Sequence, residues 1–179
     1  MAEAMISGVI AVGVASPDDI KVGEPMEGRR EYLTQKYHIR PLAENSDVVD
    51  GADVVVMAVK PQQALTAMTD LGAALTAEQT VLSIVAGFKV AALMEGLGHA
   101  AVVRVMPNTP AQIGAGMSVW TATPEVSKAG LEAAETILRS LGEEVYVPDE
   151  KLIEMATALS GCGPAYVFLF IEALIDAGV

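Results

Sequence analysis

The sequence predicts an α/β protein: an open, mostly parallel sheet followed by the start of an all-helical region. Three observations predict it. Short continuous apolar runs, Asp53 to Val59 and Thr80 to Ala86, read as strands buried on both faces, the pattern of a parallel sheet. Helical stretches alternate with them, as right-handed βαβ crossovers require. From Pro148 onward the alternation stops and only helix is read.

Taken in order, Met1 to Ala11 carries apolar and small residues at helical spacing. Asp19 to Glu24 reads as a short strand. Glu27 to Tyr37, "EGRREYLTQKY", is a helix with one face in water. The strand Asp53 to Val59 ends at Lys60-Pro61, because proline forces the chain out of the sheet. Gln62 to Ala74 is helical. Gly87 closes the strand Thr80 to Ala86, and Lys89 to Gly96 is a short helix. Ala101 to Met106 and Met117 to Ala122 are strands. Pro124 starts a helix from Glu125 to Ser140, with Gly142 as its expected C-cap. Glu144 to Val147 is a last strand. Asp149 caps a helix to Leu159, Gly161 and Gly163 break the chain, and Pro164 starts an apolar helix to Ala177. Two units are therefore expected, a sheet domain over 1–148 and a helical segment over 149–179.

Composition narrows the function. At 52% hydrophobic and 19% charged, the chain can bury a sizeable core and is not disordered. Its net charge of -12 argues against a nucleic-acid surface. The start, Met1-Ala2-Glu3-Ala4-Met5, lacks a basic signal region, and the apolar run Tyr166 to Ile175 is shorter than the ~20 residues a bilayer needs. No membrane partner is expected, and the location read is cytoplasmic. The single cysteine, Cys162, excludes an internal disulfide. His38 and His99 are far apart, so no metal-ligand spacing exists.

Three segments carry chemistry. Each places polar, glycine or proline residues directly beside an apolar run. In dinucleotide folds a ligand sits outside the carboxyl ends of the strands. Ala58-Val59-Lys60-Pro61 ends one strand and can face a cofactor, or be a simple strand-to-helix turn. Met106-Pro107-Asn108-Thr109-Pro110 is a stiff polar loop after another strand. Asn108 and Thr109 can hydrogen-bond a flat ring held for hydride transfer, or satisfy their own backbone. Ser160-Gly161-Cys162-Gly163-Pro164 reads as a helix start whose free N–H groups attract a carboxylate, or as an interdomain hinge. Cys162 reads as a packing residue, since no basic partner is nearby in sequence. Ala86 and Gly87, after the strand holding Ser83, allow close approach of a ligand to backbone. Glu24, at the end of the second strand, suits a ribose 2′-hydroxyl, whereas Arg29 and Arg30 suit a 2′-phosphate.

The segments "VMPNTP", "AVKPQ", "SIVAG" and "SGCGPAYVF", in this order, resemble pyrroline-5-carboxylate reductase over essentially the whole chain. The resemblance implies a Rossmann-type domain followed by a helical domain that dimerises by interleaving. It implies hydride transfer from NADPH or NADH to the C=N carbon of a cyclic imino acid, giving proline, the last step of proline biosynthesis. NADP is the expected cofactor, with NAD the alternative. Asn108, Thr109, Ser160 and Gly163 are the expected catalytic positions. Glu24, Arg29, Asn45, Ala58, Val59, Lys60, Pro61, Ala86 and Gly87 are the expected cofactor positions, Asn45 as a ribose contact. The full-length protein is expected to be a homodimer or a higher homo-oligomer.

The sequence departs from the family in three places. "MAEAMISGVI" resembles the segment just after the Gly-rich phosphate loop, so that loop and the first strand are expected to be absent. The Gly-Gly-Thr-Thr-like helix start of the helical domain is absent too. Cys162 stands where the family often has serine. Without the first strand, Asp19 to Glu24 and Thr80 to Ala86 are expected to face each other across a slot of ~10 Å, two strand spacings. The chain alone is then expected to be inactive, unable to bind the cofactor pyrophosphate and poorly stable or aggregated, the alternative being a collapse in which its two halves close over the gap. The alternatives are another Rossmann imine or hydroxy-acid reductase, with Lys151 as its lysine, and a non-catalytic truncated product.

Overall fold

Seven strands and seven α-helices form in the computed structural model, which describes residues 1–179. α1 (Ala2–Ala11) is followed by a 3-10 turn and β1 (Lys21–Gly23). α2 (Glu27–Tyr37) leads to β2 (Arg40–Leu42), which pairs in parallel with β1. β2 escapes the sequence reading because its three residues, with Pro41 in the middle, form no apolar run. Proline is tolerated there because β2 is an edge strand. β3 (Val54–Met57), α3 (Ala64–Gly72), β4 (Thr80–Ser83), α4 (Val90–Leu97) and β5 (Val102–Met106) alternate as expected. A 3-10 turn, Thr109–Ile113, leads to β6 (Gly116–Ala122), then α5 (Lys128–Arg139) and β7 (Gly142–Tyr146). α6 (Lys151–Ala156) and α7 (Gly163–Gly178) end the chain.

β3 to β7 lie in sequence order in one sheet, parallel throughout except that β6 runs antiparallel to β5. The loop between β5 and β6 contains no crossover helix, so the chain can only turn back on itself there. Along β4 and β5, alternate side chains enter opposite cores, as the period of two dictates. Leu82, Val103 and Val105 pack with α1 and α5 through Met5 and Leu138, and with Leu141 just past α5. Val81 and Val102 pack with α3 and α4 through Met68, Leu71, Leu93 and Leu97.

Several sequence expectations are corrected here. β4 is hydrogen-bonded to β3 on one side and β5 on the other, so Thr80 to Ala86 borders no slot. The open edge belongs to β3. A cavity of about 690 Å³ lies between Lys21 of β1 and Asp53 and Val54 at the start of β3, and α5 closes it through Thr136 and Ile137. Helix α5 begins after Ser127, whose hydroxyl accepts the Gly130 N–H, rather than at Pro124. Gly142 is no helix cap; Ser140 fills that position, and Gly142 opens β7. Nor does the chain break at Gly161 and Gly163. Residues Lys151–Gly178 form one 28-residue helix with a wide π turn at Thr157–Gly161. That helix is long and apolar enough to cross a membrane, whereas the run Tyr166 to Ile175 alone is not.

Gly142 has a φ of 133°, and a Cβ there would lie 2.4 Å from the Gly116 carbonyl oxygen. Both the conformation and the space demand glycine. Gly142→Ala is expected to lower unfolding free energy by about 2 kcal/mol or more. Chemical denaturation checks this, and an unchanged midpoint would show that β6 and β7 separate freely.

A polar knot ties α2 to α1. Arg29, Tyr32, Lys36 and Tyr37 all donate to the Glu3 carboxylate, at 2.5, 2.8, 2.9 and 2.8 Å. The Lys36 ammonium holds the Glu3 carboxyl well below the usual carboxylate range; Arg29 and the two tyrosines add to this against the opposing push of burial. A depressed folded-state pKa stabilises the fold above the unfolded value and is lost as pH falls toward the folded one. Glu3→Gln is therefore expected to lower the melting temperature at pH 7. The gap to the parent should shrink as pH falls from about 5 to about 2. A gap that stays constant over that range would show that the charge of Glu3 contributes nothing.

Candidate functional site

The site is built from strand ends. β3, β4 and β5 are parallel neighbours, so the residues just past their carboxyl ends share one rim of the sheet. Ala58, Val59, Lys60 and Pro61 follow β3, Ala86 and Gly87 follow β4, and Asn108 and Thr109 follow β5. Pro61 begins a 3-10 turn with exposed Lys60 as its cap. Gly87 has φ 83° and open space on its Cα side, so backbone is accessible there. Glu24 and Asn45 lie past the ends of β1 and β2 in the neighbouring two-stranded sheet.

Side-chain partners separate these residues. Asn108 Oδ1 accepts the Met117 N–H at 2.9 Å, which anchors the loop to β6 and leaves its amide N–H groups for another partner. Thr109 is exposed at the start of the 3-10 turn. Asn45 packs over Gly23, where a Cβ would meet its Oδ1 at 2.7 Å, and donates to Asp70 at 3.2 Å. Glu24 caps the next turn by accepting the Met26 N–H. The two arginines diverge. Arg29 is held on Glu3, whereas Arg30 donates to the carbonyls of Glu24 and Pro25 and stays beside the end of β1.

Tertiary packing then brings the helical segment to this rim. Ile153 of α6 is fully buried with Met106, Val119 and Val147. About two turns later, Gly161 comes close to Met106. A Cβ on Gly161 would lie 3.5 Å from Met106 Cγ. Gly161 thus sits beside the end of β5, two residues before Asn108. The expectation of free helix N–H groups here is corrected. The Cys162 N–H donates to the Thr157 carbonyl at 2.8 Å, because the helix continues through the π turn. Such turns are frequent at functional sites. Ser160 Oγ donates to the Ala156 carbonyl and Thr157 Oγ1 to the Ile153 carbonyl. Tyr166 Oη covers the widened turn by donating to the Leu159 carbonyl at 2.8 Å. Cys162 is exposed and Lys151 points to solvent at the head of α6.

Sequence reasoning missed Arg104 and Glu150. Arg104 is buried on β5, and its Nη1 donates to Glu150 Oε1 at 2.6 Å. The same oxygen accepts the Val90 N–H at 2.6 Å. The available signal was one charged residue inside the apolar run Ala101 to Met106. No group of three or more His, Cys, Asp or Glu side chains gathers to hold a metal ion.

An open, mostly parallel sheet with polar and glycine-bearing loops at its strand ends, leading into a helical segment, defines the class: a Rossmann-type fold. The pyrroline-5-carboxylate reductase of Synechocystis sp. is 40% identical over 179 residues, covering 100% of this chain and 66% of its own length. The chain belongs to the pyrroline-5-carboxylate reductase family. A family model described as NADP oxidoreductase coenzyme F420-dependent matches residues 1–87, and one described as pyrroline-5-carboxylate reductase dimerisation matches residues 150–179. A solved pyrroline-5-carboxylate reductase from Coxiella burnetii superposes with a TM-score of 0.90 at 36% identity, covering 99% of this chain and 66% of that one. Pyrroline carboxylate reductase from Plasmodium falciparum, solved with NADP bound, gives 0.86 at 29%, covering 98% and 64%. The chain thus spans about two thirds of the length of the relatives it matches.

Proposed function

We propose that the protein to which this chain belongs reduces 1-pyrroline-5-carboxylate to L-proline with NADPH or NADH. The observation that supports the reading is the closeness of Gly161, in the π turn, to Met106 at the carboxyl end of β5. The nicotinamide cofactor supplies a hydride to the C=N carbon, and the nitrogen of the imine carries the proton that completes the amine. The chain's own residues position and exclude water. Pro107 and Pro110 stiffen the loop, Asn108 offers its free amide N–H groups, and Thr109 offers a hydroxyl to the reacting rings. The open backbone at Gly87 and the turn at Val59-Lys60-Pro61 fit a dinucleotide lying along the strand ends. Ser160 and Gly163 line the opposite wall.

The reading is tested by nicotinamide absorbance with pyrroline-5-carboxylate and NADPH or NADH, on this chain and on a form extended at both ends. Oxidation of neither cofactor by the extended form would sink it. Thr109→Ala in the active form is expected to cut kcat/KM by about tenfold or more, with unfolding free energy changed by no more than ~0.5 kcal/mol. Wild-type kinetics in that variant would make the loop mere scaffold.

NADP is the proposed cofactor, with NAD the alternative. Its 2′-phosphate falls to Arg30 rather than Arg29, because Glu3 already holds Arg29. Arg30→Ala is expected to raise the KM for NADPH several-fold more than that for NADH, while Arg29→Ala leaves their ratio unchanged and lowers the melting temperature. Equal effects on both cofactors in the Arg30 variant would remove this assignment.

The proposed partner of α7 is a second copy of the chain. Phe168, Leu169, Phe170, Leu174 and Ile175 are all more than half exposed, so α7 is apolar on several faces, a surface that helices of a partner copy would cover. The proposed location is the cytoplasm, without membrane or nucleic-acid partners.

A further inference from the structure

We propose that Glu150 is a positioning residue that locks the π turn at 157–161 against the Met106–Thr109 loop; this rests on the reading that the two walls form one reductase site. Three elements meet at a single carboxylate oxygen. Arg104 comes from the middle of β5, the Val90 N–H from the first turn of α4, and Glu150 itself from the head of α6. The guanidinium is buried, with 5% of its side chain exposed, and Arg104 lies on β5 between Val102 and Met106, which belong to two separate apolar clusters. No apolar contact could distinguish one rotation of α6 from another as sharply. A buried cation accepts only the geometry that brings a carboxylate to it, and the helix N-terminus at Val90 favours the same negative charge. The loop after β4, which holds Ala86 and Gly87, runs directly into that helix start. One carboxylate therefore sets the spacing of the cofactor rim, the β5 strand and the helical wall. The exposed pair Lys89–Glu154, at 3.8 Å, runs alongside but is too solvated to do the same.

The test uses two variants and two readouts. Glu150→Ala strands the arginine charge and is expected to lower the melting temperature. Arg104→Met with Glu150→Ala removes the stranded charge, so its melting temperature should return toward that of the parent. In both variants, amides of residues 157–163 are expected to exchange hydrogen about tenfold faster than in the parent, while amides of β4 and β5 in the double variant exchange at the parent rate. Parent-like exchange at 157–163 in either variant would overturn the proposal, because a merely structural pair would restore the turn together with the stability. If the single variant fails to fold, the double variant decides. In the active extended form, the double variant should lose about tenfold in kcat with the cofactor KM changed less than about threefold. Unchanged kcat would also overturn it. Absence of turnover in the parent would count against the reductase reading alone, and the exchange measurement on this chain would still decide the role of Glu150.

Discussion

The burial of β5 is the constraint on which the rest depends. All five of its residues are buried, and it is hydrogen-bonded to parallel β4 on one side and antiparallel β6 on the other. Its odd positions fill one core and its even positions face the other side of the sheet. Val102 there joins α3 and α4, and Met106 joins α6. The strand must therefore stop at Pro107, where the chain emerges at the rim with Asn108 and Thr109. A shift of one residue along β5 would exchange the two cores and carry the polar loop away from the rim.

Arg104 is the exception to this apolar rule. Removing one member of a buried ion pair costs about 3–5 kcal/mol, whereas replacing both members with apolar groups is often neutral. A pair of that kind contributes little net stability for the desolvation it requires. Its value lies in orientation. Met106 lies so close to Gly161 that a methyl group there would already be in van der Waals contact. Apolar packing brings the helical segment to the sheet, and the ion pair fixes how it sits.

Much of the fold was legible in the sequence because its signals are local. The apolar runs at Val54–Met57, Thr80–Ser83 and Val102–Met106, and the polar stripe of α2, follow from burial on two faces or one. The candidate residues at the strand ends were legible because proline and glycine mark where strands stop. Illegible features were those set by distant partners. Nothing in Arg40-Pro41-Leu42 announces a strand until β1 offers an edge. Gly161 and Gly163 read as a break, yet Thr157, Ser160 and Tyr166 bond the widened turn to the helix's own carbonyls and keep the helix continuous.

By itself the sequence determined the alternation of strands and helices, the rim residues Lys60, Gly87, Asn108 and Thr109, and the resemblance that places the chain in its family. Those depend on chain periodicity and turn chemistry, which act between residues a few positions apart. Only the tertiary structure decided that Arg29 is spent on Glu3 while Arg30 guards the end of β1, that β3 rather than β4 carries the open edge, and that Glu150 holds Arg104 and the start of α4 together. These choices depend on which groups become neighbours once the sheet is ordered. Residues 26, 46 or 60 positions apart have no local signal by which to find each other.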